Sequence, residues 1–272
     1  MIRVELVKML RRPRTWIVIA MLNALPTLVA VLLAVTDIGP QPGEGPAFLS
    51  AVLSDGTLFP LAALAIVLPL FMPVAVAVVA GDAVAGEAQA GTLRYMLVRP
   101  VGRTSLLVAK LVSVVAFVLL SVVIVAAFGY VVGVVLLGQG DATGRVVTGF
   151  SGSTLTPVQI VERTMLSVGY VTLSMLGVAG LALLLSTVTD SPLGAALGAL
   201  AFLIASTLLL TLDAAAALQP YLPTRYWLAF VDLFRDPIMW RDLVRGVLLQ
   251  GAYVVVFVGA AWANFSTKDI TS

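Results

Sequence analysis

Charged residues along this chain are bunched, and long apolar runs lie between the bunches. Six stretches carry no Asp, Glu, Lys or Arg: 15–36, 56–81, 111–140, 164–189, 191–212 and 246–267. A helix that crosses a bilayer needs about 20 apolar residues, so each run is long enough. The pattern predicts six spans at Thr15–Val35, Leu58–Ala80, Leu111–Leu137, Thr164–Thr189, Pro192–Leu212 and Gly246–Phe265. Strands of a membrane barrel would be shorter and would alternate in polarity; these runs do neither. The expected fold is a single all-α membrane domain over residues 1–272.

The polar segments divide into four kinds. Residues 1–14 put Ile2, Leu6, Met9 and Leu10 on one helical face and Glu5, Lys8 and Arg12 on another, the mark of a helix lying in the headgroup layer. An equally good reading makes these bases a plain anchor for the first span. Segment 81–110 is the largest polar connector. It predicts a helix over Asp82–Leu97, an end at Pro100, and a new start capped by Thr104 or Ser105; a solvated connector is the alternative. Asp190-Ser191-Pro192 is a cap followed by proline at the first helical position, so the flanking helices form an antiparallel pair. Segment 213–245 mixes aromatics with acids and arginines, and reads as amphipathic structure at the outer surface or as an ordinary aromatic belt.

Lysine and arginine set the orientation. With the N-terminus cytoplasmic, ten bases fall inside (Arg3, Lys8, Arg11, Arg12, Arg14, Arg94, Arg99, Arg103, Lys110 and Lys268) and six outside. Both termini are therefore expected in the cytoplasm. Trp16 and Trp262 would sit near inner span ends, and Trp227 and Trp240 in the last outer segment, all in the headgroup layer. The first run exceeds the 7–15 or so residues of a signal core and lacks a convincing cleavage site, so it is expected to remain as a span.

Composition agrees and narrows the chemistry. The chain is 60% hydrophobic and 11% charged, against roughly 25% charged in soluble domains. The net charge of +2 gives no case for nucleic acid. With no cysteine and no histidine, disulfides, thiolate nucleophiles, zinc–thiolate sites and imidazole acid–base chemistry are excluded. No catalytic or metal-ligating set is expected, and the chain is not read as an enzyme. None of the predicted spans contains an ionisable acid or base, which argues against a proton relay or voltage sensor; sodium sites built from carbonyls and hydroxyls stay open. The phosphate loop G-x-x-x-x-G-K-[ST] is absent, so any ATP that drives this chain is bound by another polypeptide. Pro69 and Pro73, one turn apart, predict a kink in the second span. Gly194-x-x-x-Gly198 and Gly129-x-x-x-Gly133 offer close helix contact within or between subunits.

The segment Gly81-Asp82…Glu87…Gly91-Thr92-Leu93…Leu97…Arg99-Pro100-Val101…Arg103…Lys110 resembles the signature loop of the type-2 permeases of ATP-binding-cassette transporters. The N-terminal segment, YLPTRYWLAFVDLFRDP and the ending NFSTKDI are similar to other parts of that family. Gly102 stands where a serine is frequent. The resemblance implies six spans with an N-terminal interfacial helix and a bacterial plasma-membrane setting. It implies two permease copies, homodimer or paralogue, working with two ATPase subunits that hold ATP and Mg. Carried onto this chain, Glu87, Gly91, Thr92, Arg94 and Arg99 would lie at or beside the ATPase contact. Asp82, Arg103 and Lys110 would brace the loop, and Gly194 and Gly198 would mark a subunit interface. Glu87 and Arg94, seven apart, would share a helix face, and Glu87 would pair with Arg11 or Arg12.

The expected function is thus the permease subunit of an ATP-driven exporter of an amphiphilic or lipophilic substrate. Two alternatives remain at this level. A carrier or channel without an ATPase would show flux from the purified chain alone. A non-transporting membrane scaffold would bind a partner yet show no substrate-stimulated hydrolysis.

Overall fold

The computed structural model describes residues 1–36, 55–91, 102–138, 147–148 and 154–267. Eight α-helices run through them. Helix α1 spans Ile2–Arg11 and α2 Pro13–Val35. A short 3-10 turn, Gly56–Leu58, leads into α3, Phe59–Val67, and α4 follows at Phe71–Gln89. Then come α5, Arg103–Leu136; α6, Pro157–Val188; α7, Pro192–Leu210; and α8, Trp240–Thr267. A two-residue antiparallel pair joins Val147–Thr148 to Thr154–Leu155. Six of the helices (α2, α4, α5, α6, α7 and α8) are long and apolar enough to cross a membrane.

The second span differs from the sequence expectation. It is two helices, with a break at 68–70 where Leu70 adopts φ −137° and ψ −58°. Pro69 and Pro73 each lack an N–H, so two rungs one turn apart are lost together and the helix opens rather than bends. After the break α4 runs to Gln89, well beyond Ala80.

Other boundaries move outward for local reasons. Helix α6 begins at Pro157, earlier than Thr164, because Thr156 and Gln159 form a capping box. At 34 residues, α5 is about 51 Å long at 1.5 Å per residue, more than the roughly 30 Å hydrocarbon layer. It starts at Arg103 behind Gly102, with no side-chain cap, so Thr104 and Ser105 lie inside its first turn. The Ser191 cap and Pro192 start are as expected, with Ser191 Oγ accepting from the Gly194 N–H at 3.1 Å.

Helix α6 is central: 72% of its most apolar window is buried, against 17% for α8 and 28% for both α2 and α7. Helices α8, α4, α7 and α5 pack round it. The outward faces of α2, α7 and α8 stay apolar and exposed, as at Met21, Leu197, Leu248 and Val255, the pattern of a lipid-facing surface.

Segment 213–245 forms three 3-10 turns over 213–234 and then the first residues of α8, and Trp227, Phe230 and Phe234 of the last turn are buried. That turn packs against α6 and α8. Trp227 therefore plugs the bundle, whereas Trp16, Trp240 and Trp262 are about half exposed.

Candidate functional site

Helix α1 ends at Arg12, whose extended backbone (ψ 121°) turns the chain before Pro13 opens α2. This elbow lays α1 along α5 and beside the end of α4. The face that docks is the polar one. Glu5, Lys8 and Arg12 turn inward around the buried Met9, while Ile2, Val4, Val7 and Leu10 are exposed.

Two acids of α4 receive the bases. Glu87 is buried, and its carboxylate lies 2.8 Å from Lys8 Nζ and 2.7 Å from Lys110 Nζ. Lys110, only 3% exposed, also lies 3.9 Å from Glu5. On α1, Glu87 pairs with Lys8, where Arg11 or Arg12 was expected. One turn earlier, Asp82 Oδ2 accepts from Arg12 Nη1 at 3.3 Å and from Arg14 Nη2. The backbone of Gly86 lets the Asp82 carboxyl lie along the helix, since a Cβ at Gly86 would meet it. A cavity of about 580 Å³ opens among these groups, bounded by α1, the start of α2, α4 and α5.

The helices run on past the charge-free stretches, and their extensions carry ionisable groups. Asp82 and Glu87 lie on α4, Lys110 on α5 and the buried Arg163 on α6, where Arg163 donates to the Arg235 carbonyl at 3.1 Å. Sequence reading placed Asp82, Glu87 and Lys110 in a connector and passed over Arg163, because it ended the spans where the first charge appeared. Each buried charge is costly alone and stable only when paired.

The other predicted residues separate. Arg103 donates to the Ser266 carbonyl at 3.2 Å, near the end of α8, and Trp262 donates to Thr104 Oγ1 at 3.2 Å. Gly91 has φ +67° just past the end of α4, with open space around it. Its role within this chain is the left-handed stop that other residues resist. Within the described residues the expected Asp82–Leu97 helix ends at Gln89; positions 92–97, and with them the expected Glu87–Arg94 face, lie outside the described residues. Thr92, Arg94 and Arg99 lie outside the described residues. Gly194 and Gly198 are exposed on α7, where a Cβ at Gly198 would approach Leu185 of α6 at 3.0 Å. Gly129 and Gly133 instead face α3 and the Gly56 turn of the same chain.

One buried hydroxyl had no signal in the sequence. Ser186 on α6 donates to the Gly81 carbonyl at 2.6 Å and accepts from the Val84 and Ala85 N–H groups. It fixes α4 just where Asp82 departs.

Residues 47–271 match a family described as "Protein of unknown function (DUF2705)". The chain belongs to this family. The DUF2705 match covers α3 to α8 and leaves α1 and all of α2 outside it, so the ion-paired corner joins a segment outside the match to two helices within it. No curated protein matches the chain.

Proposed function

We propose that this DUF2705 chain is the membrane permease subunit of an ATP-driven exporter, coupled to a separate ATPase through the segment that follows α4. The observation that carries the reading is the end of α4: its last turns are clamped by ion pairs to α1 and α5, and Gly91 then directs the chain into the segment bearing Thr92, Arg94 and Arg99. A clamped helix end transmits a push rigidly, and the loop motif around it resembles that of the type-2 permeases. In this reading both termini are cytoplasmic and α1 lies in the inner headgroup layer of a bacterial plasma membrane. Two copies of the chain, or one and a paralogue, work with two ATPases that hold ATP and Mg. Glu87, buried under Lys8 and Lys110, braces the contact rather than touching the ATPase.

The test is co-purification of an ATPase with this chain from its native host, followed by Arg94→Glu and Arg99→Glu. Those variants are expected to keep the fold and abolish coupling of hydrolysis to transport. Unchanged coupling in both would sink the reading. Glu87→Arg is a poor test, because it places a third cation between two lysines and disrupts the corner itself.

The buried Glu87–Lys110 pair favours one alternative, an ion-coupled carrier, since such pairs mark proton and ion paths. Flux in liposomes from the purified chain alone, lost in Glu87→Gln, would establish it.

A further inference from the structure

We propose that the cavity at the α1–α4–α5 corner binds the phosphate headgroup of an anionic phospholipid, with Arg12 and Arg14 as its ligands. The proposal rests on the membrane placement of these helices and not on any ATPase.

The charges in the cavity divide unevenly. Lys8, Arg12, Arg14 and Lys110 line it, against Glu5, Asp82 and Glu87. The inner set is closed: Glu87 takes both lysines, and Lys110 reaches Glu5 as well. The outer set is open. Among the described residues, the side chains of Arg12 and Arg14 each make one hydrogen bond, and both go to the same atom, Asp82 Oδ2. A guanidinium carries five N–H donors in a planar fork that fits a phosphate through two parallel bonds. Two such forks sharing one carboxylate oxygen leave most of their donors and one unit of positive charge directed into the cavity. Their side chains are 42% and 47% exposed, so an anion can reach them.

The surroundings select a lipid over a soluble phosphate. The arginines stand where α2 starts, and below them its exposed face is apolar: Trp16, Ile17 and Met21. Val7 and Leu10 of α1 extend that surface. Trp16 donates its indole N–H to the Leu10 carbonyl at 2.8 Å, holding the exposed ring at the elbow. An acyl chain laid along α2 would put its phosphate beside Arg12 and Arg14.

The test uses the full chain, reconstituted in phosphatidylcholine bilayers doped with phosphatidylglycerol, then extracted in neutral detergent. Retained lipid per protein is read by mass spectrometry. Phosphatidylglycerol is expected to be enriched over its bulk share. Arg12→Gln with Arg14→Gln should cut that enrichment by about thirtyfold, at about 1 kcal/mol for each of the two basic groups near the surface. Arg3→Gln with Arg11→Gln, exposed on α1 and outside the cavity, should leave it unchanged. Asp82→Asn should raise it by releasing both forks. If the double cavity variant fails to fold, the charge-balanced triple variant with Asp82→Asn added replaces it. Equal loss in the Arg3/Arg11 control would show diffuse attraction and overturn the site. Enrichment that survives removal of Arg12 and Arg14, or that does not rise in Asp82→Asn, would overturn it as well. So would displacement of the lipid by millimolar inorganic phosphate, which would mark a plain anion site.

Discussion

Glu87 and Lys110 show what a single residue does here. Both are almost fully buried, 2.7 Å apart, on two different helices. Removing one member of a buried pair leaves the other charge desolvated and uncompensated, which costs about 3–5 kcal/mol. Glu87→Ala is therefore expected to lose about that much stability in denaturant unfolding of the detergent-solubilised chain. Adding Lys110→Met should restore most of it, because the stranded charge is then gone; a double variant no more stable than the single would show the pair is not the source. Gly91 acts by conformation instead. Nothing crowds it, yet its φ of +67° suits only glycine well. Gly91→Ala should cost about 1 kcal/mol and speed amide exchange over the last turn of α4, with the rest of the bundle unaffected.

At the scale of elements, charge-free runs located the helices but not their lengths. The lipid-facing part of a span must be apolar, so six runs gave six helices. A helix does not stop where the membrane does, however. Helices α4, α5 and α6 extend beyond their apolar cores until a cap or glycine ends them, and the charges on the α4 and α5 extensions help build the candidate site. The Pro69/Pro73 pair was visible as a kink; that it would divide the span depended on α3 finding its own partner. That partner is α5, through glycines that spacing alone could not assign to an interface within the chain or between chains. A Cβ at Gly129 would sit 3.0 Å from Ala63 Cβ, and one at Gly133 would strike the Gly56 backbone. Gly133→Leu is thus expected to separate α3 from α5 and abolish monodisperse protein in size-exclusion chromatography. Gly194→Leu, on an exposed face, should elute normally as a folded chain.

For the whole molecule, α6 is the post on which α4, α5, α7 and α8 are hung. Helix α1 and the 3-10 turn Trp227–Phe234 are accessories, one at the corner with α4 and α5, the other packed on α6 and α8. Movement of α4 would be felt by α6 through Ser186, which bonds the α4 backbone at three atoms. Ser186→Ala should therefore loosen the link between the corner and the bundle. If the proposed permease complex is reconstituted, its substrate-stimulated hydrolysis is expected to fall severalfold in this variant while basal hydrolysis is retained.

What the chain determines by itself follows from solvation. Long uncharged runs cannot rest in water, so the number and kind of spanning helices are written in composition and spacing. The Asp190-Ser191-Pro192 start is legible too, since capping depends on neighbours in sequence; the stop at Gly91 is not, and the sequence pattern predicts a helix running on to Leu97. Which charges meet is another matter. Lys8 and Glu87 are 79 residues apart, Arg14 and Asp82 68, and no local rule pairs them. Only the packing of α1 against α4 and α5 brings them together, because a charge held at low dielectric is stable solely where a partner from another element arrives beside it.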